Sequence, residues 1–281
     1  MKPPRFESEY ADSVLPTFEG SPATHAELAT SADAELPWTQ MSVLLGSTVI
    51  NAVQSFYLAK RTRQYFSDLP EDDDRVGRTM ADISRRLMRQ AVLDIAGLND
   101  GGLANKDPGH SRTASLPTAH SRIKQRLVSA QAPPADLNRL DGLRADINVD
   151  HHMPLKYVRH LRNKWAGHPS LDRRFDAWGG ADTSLLIPVV EAALARLVNN
   201  SSDTAEFVAS VPALQDFDQP PAASNADGSV PIEIRLSSVL VWAEVIRESA
   251  GDGVRSLRAQ ISGSTKLDRL ANTEAYDGKR Y

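Results

Sequence analysis

PWTQMSVLLGSTVINAVQSFYLAKRTRQYF, residues 37–66, is the longest periodic stretch of the chain, and its reading sets the fold class. Val43, Leu44, Ser47, Ile50, Gln54, Tyr57 and Leu58 recur there in steps of three and four, so the spacing predicts a helix with that face turned inward. Pro37 suits a first turn, where a missing N–H costs nothing. Lys60, Arg61 and Arg63 gather near the other end, where they complement the helix dipole. Gly46 and the β-branched residues lower the intrinsic propensity, so packing has to hold this helix together.

Working outward, the same period of three and four recurs along most of the chain. Pro70 and the acidic run Glu71–Asp74 make a favourable first turn for a second helix. Its apolar stripe is Met80, Ile83, Leu87, Ala91, Val92, Ile95 and Leu98, and Asn99-Asp100-Gly101-Gly102 stops it. A polar loop runs to about residue 114. Ser115-Leu-Pro-Thr then reads as a helix start, followed by Ile123, Leu127 and Val128 until Pro133-Pro134. A further helical piece over 135–148 carries Leu137, Leu140, Leu143 and Ile147. TSLLIPVVEAALARLVNN, residues 183–200, is helical with a bend expected at Pro188. Residues 232–236 alternate briefly like a strand, and a last helix is expected over roughly 238–262. Residues 1–36 lack periodicity and read as an extended or partly disordered lead-in. The expected organisation is therefore a lead-in over 1–36, a helical domain over 37–212, a linker over 213–231 and an extension over 232–281. The fold class is all-α.

Composition narrows the function classes. Of 281 residues, none is cysteine, which removes disulfides, thiolate metal sites and cysteine nucleophiles together. The net charge of -4 gives no bulk attraction to nucleic acid or anionic membranes, so any polyanion site must be a local basic patch. The first ten residues carry acids and prolines where a signal peptide needs an apolar run, and no stretch approaches ~18 uninterrupted apolar residues. The expectation is a cytoplasmic protein with no membrane span.

The chemistry concentrates in MPLKYVRHLRNKWAGHP, residues 153–169. Leu155, Val158, Leu161 and Trp165 mark one helical face, with Lys156, Arg159, Asn163 and Lys164 off it. Gly167 and Pro169 stop the helix, so His168 sits just beyond its end and can fold back toward Arg162. Arg159, Lys164, Arg173 and Arg174 outnumber Asp172 and Asp176 nearby, which makes a locally positive segment where a phosphate can dock. Transesterification of RNA needs a base for the 2′-hydroxyl and an acid for the leaving oxygen, and a histidine can be either. An arginine can supply the cation that stabilises the developing charge.

RNKWAGHPSLD, residues 162–172, resembles the motif of the HEPN superfamily, an Arg followed at short spacing by a His, with a polar residue after the Arg. The likeness is to the abortive-infection branch. The order of elements supports it over roughly residues 38–212: a helical pair ending in Leu98-Asn99-Asp100, a polar loop, the Ser-Leu-Pro-Thr start and the motif helix. The resemblance implies a helical bundle that pairs about a two-fold axis, with the motifs of both subunits lining one cleft. It implies RNA cleavage without a metal or other cofactor, leaving 2′,3′-cyclic ends, in phage defence or a toxin–antitoxin system. Arg162 would hold the scissile phosphate, Asn163 would orient the phosphate or the His, and His168 would act on the ribose hydroxyl. Arg159, Lys164, Arg173 and Arg174 would extend RNA binding. An antitoxin or other regulatory protein is an implied partner. Gly167 stands where the family usually has Ala, and no Tyr follows shortly after His168, as it does in members neutralised by a partner nucleotidyltransferase.

Other readings of these residues stay open. Arg162 and His168 could be a structural helix end, the Arg paired with an acid and the His with terminal carbonyls. A non-catalytic HEPN module would bind RNA or a nucleotide, or serve as a subunit interface. Asp150-His151-His152 spells a metal phosphoesterase signature, but that signature belongs at a strand end in an α/β domain. Arg85, Arg86 and Arg89 read as a solvated face able to widen an RNA footprint.

Overall fold

The computed structural model describes residues 38–67, 74–100, 114–166, 183–215 and 234–277. Among the described residues there are seven α-helices and no strand, which makes the fold all-α as the periodicities indicated. The first is α1, Trp38–Ser67, and the second, α2, is Asp74–Leu98. They pack along their length, with Met41, Leu45, Val49, Ala52 and Phe56 of α1 and Met88, Ala91, Val92 and Ile95 of α2 in one buried core. Ser84 Oγ reaches across to the carbonyl of Ala59 at 2.9 Å.

The face that α1 buries differs from the expected one. Leu44 is 45% exposed, Gln54 is exposed and only Ile50 of the expected set is fully inside. The reason is that α1 segregates its apolar and polar residues only weakly, so several faces satisfy the same period and packing chooses among them. By length and composition α1 could cross a bilayer; more than half of its most apolar window is buried inside this fold.

Helix α3, Leu116–Ser129, begins as its sequence predicts: the Ser115 Oγ accepts from Thr118 N at 3.3 Å, and Pro117 occupies the first turn. Helix α4, Pro134–Asp146, packs against it, and the two form a satellite core with Ile123, Leu127, Leu140 and Phe207. Helix α6, Thr183–Ser210, runs on well past residue 200 with Pro188 exposed inside it, and links the two cores. Its Glu191 receives both oxygens' worth of contact from Lys60 Nζ, each at 2.7 Å, which ties α6 to α1. A 3-10 turn, Pro212–Leu214, then buries Leu214 in the satellite core.

The extension is built into the bundle. Leu236 and Val239 belong to the main core, and Leu236 N donates to the Ser42 Oγ at 3.3 Å. The strand-like alternation does not become a strand: Ile234 and Arg235 are irregular, and a 3-10 turn starts at Leu236. Those two residues cross α1 at Gly46, where a Cβ would lie 2.4 Å from the Ile234 carbonyl oxygen. The glycine that weakens α1 locally is therefore what lets the chain cross it. The last helix, α7, spans Val239–Asp277, longer than the period alone indicated, and lies along α1. The lead-in and most of the expected linker lie outside the described residues.

Candidate functional site

Helix α5, Met153–Leu161, starts after the 3-10 turn Val149–His151 and carries Pro154 in its first turn. Leu155, Val158 and Leu161 are buried, which fixes the rotation of the helix and leaves Arg159 and Arg162 on its outer side. The α-helix then widens into a single π turn, Arg162–Ala166, rather than running regularly to Gly167. Such turns are rare, insert an extra residue into the helical register and occur often at functional sites. This one is clamped from α2: the Arg89 Nε donates to the carbonyl oxygen of Ala166 at 2.8 Å. Arg89, read from the sequence as part of a solvated basic face, instead holds the far end of the motif turn.

Opposite the motif lies the C-terminal end of α2. Asn99 N and Asp100 N bond back to the carbonyls of Ala96 and Gly97, so the chain turns tightly and brings both side chains toward α5. Asn99, Asp100, Arg159, Arg162 and Asn163 line a cleft of about 100 Å³, with Ile95, Leu155 and Val158 as its apolar wall. The Arg162 guanidinium sits 3.4 Å from the Asp100 carboxylate and contacts the Asn163 Oδ1 at 3.4 Å. Arg159 donates to the Asp150 Oδ1 at 2.6 Å, and this bond together with the arginine's charge holds the Asp150 carboxyl below the usual carboxylate range. Asp150 also belongs to the 3-10 turn, where its N–H donates to the Asn148 Oδ1 at 3.0 Å. The phosphoesterase signature therefore sits on a helical turn and not at a strand end.

One sequence expectation changes here. The local cationic character is offset by acids from elsewhere in the chain, since Arg159 faces Asp150 and Arg162 faces Asp100. Arg162 does pair with an acid, as the reading of a structural helix end had it, but the pair is not buried: its two side chains are 44% and 46% exposed. Exposed pairs of this kind contribute roughly 0–1 kcal/mol. Arg162, Asn163 and Arg159 line the same cleft. His168, Arg173 and Arg174 lie outside the described residues, as does the side chain of Lys164. Among the described residues no three His, Asp or Glu side chains gather as a metal site would require. Asn99, Asp100 and Arg89 were not singled out by sequence as site residues, because Asn-Asp before a Gly pair reads first as a helix stop.

No family model, no curated protein and no solved structure matches this chain.

Proposed function

We propose that this chain is a HEPN-type endoribonuclease that acts as a dimer and cuts RNA by attack of the 2′-hydroxyl on its own phosphate, leaving 2′,3′-cyclic ends. The observation that carries the reading is the state of Arg162. It lies at an open cleft on a π turn, where among the described residues a half-exposed carboxylate and the Asn163 side chain contact it. A phosphodiester placed there offers the guanidinium two oxygens in a bidentate arrangement, which one partly solvated carboxylate at 3.4 Å does not match.

In this reading Arg162 binds the scissile phosphate and stabilises the charge that builds on it. Asn163, bonded to Arg162, orients the guanidinium or the phosphate. His168 takes the proton from the 2′-hydroxyl, or returns one to the departing 5′-oxygen. A two-fold dimer provides two such histidines at one cleft, one for each proton transfer. The chemistry needs no metal, because Arg162 supplies the cation, and DNA is inert because it lacks the nucleophile. The biological setting that goes with this activity is defence against phage or a toxin–antitoxin pair in the cytoplasm, with a regulatory protein restraining the nuclease.

Incubation of purified protein with total RNA in EDTA, followed by end-group analysis, tests the proposal. Wild type should leave 2′,3′-cyclic ends, while Arg162→Ala and His168→Ala should leave the RNA intact. Equal cleavage by all three proteins would rule out this site. Binding without cleavage by a folded dimer would move the reading to a non-catalytic RNA- or nucleotide-binding module.

A further inference from the structure

The arginine run of α2 divides into engaged and unengaged members. Arg85 meets Asp82 at 3.1 Å, and the next acid along the helix, Asp94, accepts from Gln90 at 2.8 Å. Arg86 is exposed, and among the described residues no acid or carbonyl takes its guanidinium. Arg89 is exposed as well and uses only its Nε, on the Ala166 carbonyl at 2.8 Å. Both of its terminal nitrogens are left without an acceptor among the described residues. The Ala166 bond nevertheless holds the guanidinium in place beside the motif turn, so less freedom is lost when those nitrogens grip an anion. The cleft arginines differ, since Arg159 and Arg162 each already face a carboxylate.

We infer that Arg86 and Arg89 form a second phosphate subsite, which binds the backbone of a single RNA strand several nucleotides away from the phosphate at Arg162. The inference rests on the ribonuclease reading and adds to it the path and length of the substrate. Arg89 lies beside Ala166, whereas Asp100 lies beside Arg162, so α2 runs antiparallel to the motif segment. The cleft is therefore at one end of their seam and Arg89 is toward the other. Eleven residues separate Arg89 from Asp100, about 16 Å at the helical rise, or about five nucleotide steps of ~3.4 Å in a stacked strand. Arg86 lies nearly one turn further from the cleft. Side chains three apart on a helix stand about 5–6 Å from each other, so the pair can grip neighbouring phosphates. Such contacts fix the register of a strand without reading its bases. On a chain of net charge -4, unengaged cations at the seam are where a polyanion gains most.

The test uses the full chain and single-stranded 2′-deoxy oligonucleotides, which the proposed reaction cannot cut, with binding followed by fluorescence anisotropy over a salt series. One probe, about 12 nucleotides, is long enough to span the seam, and one, about 3 nucleotides, is too short. Arg89→Gln keeps an N–H where the arginine has its Nε, able to donate to Ala166, and removes the two terminal nitrogens. Arg86→Gln removes an exposed cation and leaves no described partner behind. Each variant should weaken binding of the long probe and lower the slope of log affinity against log salt by about 0.7, the share of one phosphate on a single strand. The short probe should bind each variant as it binds wild type. Arg247→Gln, which removes an equal exposed charge on α7, should change neither probe. An unchanged slope in the Arg86 and Arg89 variants, or an equal loss in Arg247→Gln, overturns the inference. Undiminished binding of the short probe by Arg162→Ala, or no binding of either probe by wild type, counts instead against the ribonuclease reading beneath it.

Discussion

Of the polar contacts that join residues far apart in sequence, two are built in opposite ways. In the satellite region His120 is completely buried, and its Nε2 meets the Thr204 Oγ1 at 2.8 Å. Thr204 gives its own proton to the Asn200 carbonyl at 2.7 Å, so the ring must be the donor and is held as the Nε2–H tautomer. In the cleft, Arg162 and Asp100 meet at 3.4 Å with both side chains nearly half exposed. The first contact joins α3 to α6 and has no route for a ligand. The second spans the ends of α2 and α5 and has solvent on one side. The sealed contact gains from the low dielectric around it and pays a high penalty if its protonation changes. The open contact gains little and can be exchanged, which is the property a binding site needs.

The sharpest way to break this contrast is to remove Arg162. Arg162→Ala should reduce RNA cleavage about a hundred- to a thousandfold, the cost of losing one charge-stabilising donor, with the unfolding midpoint nearly unchanged. Circular dichroism melts beside gel-based cleavage assays would check both halves. A large loss of stability would make Arg162 a structural residue and erase the difference between the two contacts.

Next in size is the pH response of the sealed contact. Burial, reinforced by the charge of Arg144, lowers the His120 pKa from 6.5 to about 4. Between those values the unfolded chain binds a proton that the folded chain refuses. This contribution is therefore full above pH 6.5 and is lost as pH falls, by roughly 3 kcal/mol at pH 4. Urea titrations from pH 7.5 to 4 should show the decline, and His120→Gln, which can place an N–H near the same spot without titrating there, should flatten it. An unchanged slope in that variant would assign the acid sensitivity to other groups.

Smaller still is the effect of Gly46→Ala. Alanine is the better helix former by about 1 kcal/mol. The added Cβ would nevertheless collide with backbone at Ile234 and Arg235, so a net loss of about 1–3 kcal/mol is expected from thermal melts. A stabilised variant would mean that the crossing of the extension over α1 yields easily and is no part of the sealed interior. The smallest effect belongs to Asp100→Asn. Freeing Arg162 from its carboxylate should tighten binding of an oligonucleotide severalfold while stability changes by less than about 1 kcal/mol. Weaker binding would assign Asp100 to the ligand rather than to competition with it.

The all-α class, most helix positions and several helix starts were legible before any coordinates, because these are set by local chemistry. Helix α2 segregates polar and apolar residues cleanly, and its expected stripe is buried or half-buried from Met80 to Leu98. Ser115 caps α3 as its position before Leu-Pro-Thr indicated. Arg162 and Asn163 could be picked out too, since a short motif is local by nature. The inward face of α1 could not be read, because a helix that segregates apolar from polar residues only weakly leaves rotation to its neighbours. Nor could the π turn, the Arg89 clamp on Ala166, or the acids that meet Arg159 and Arg162. By itself, then, the sequence determined where most of the helices lie and which residues are proposed for the chemistry. Only the tertiary structure decided which side of α1 is buried, and that Asn99 and Asp100 complete the cleft. Period and capping act within a few residues, whereas burial and charge pairing depend on which distant segments the packed chain brings within a few ångströms.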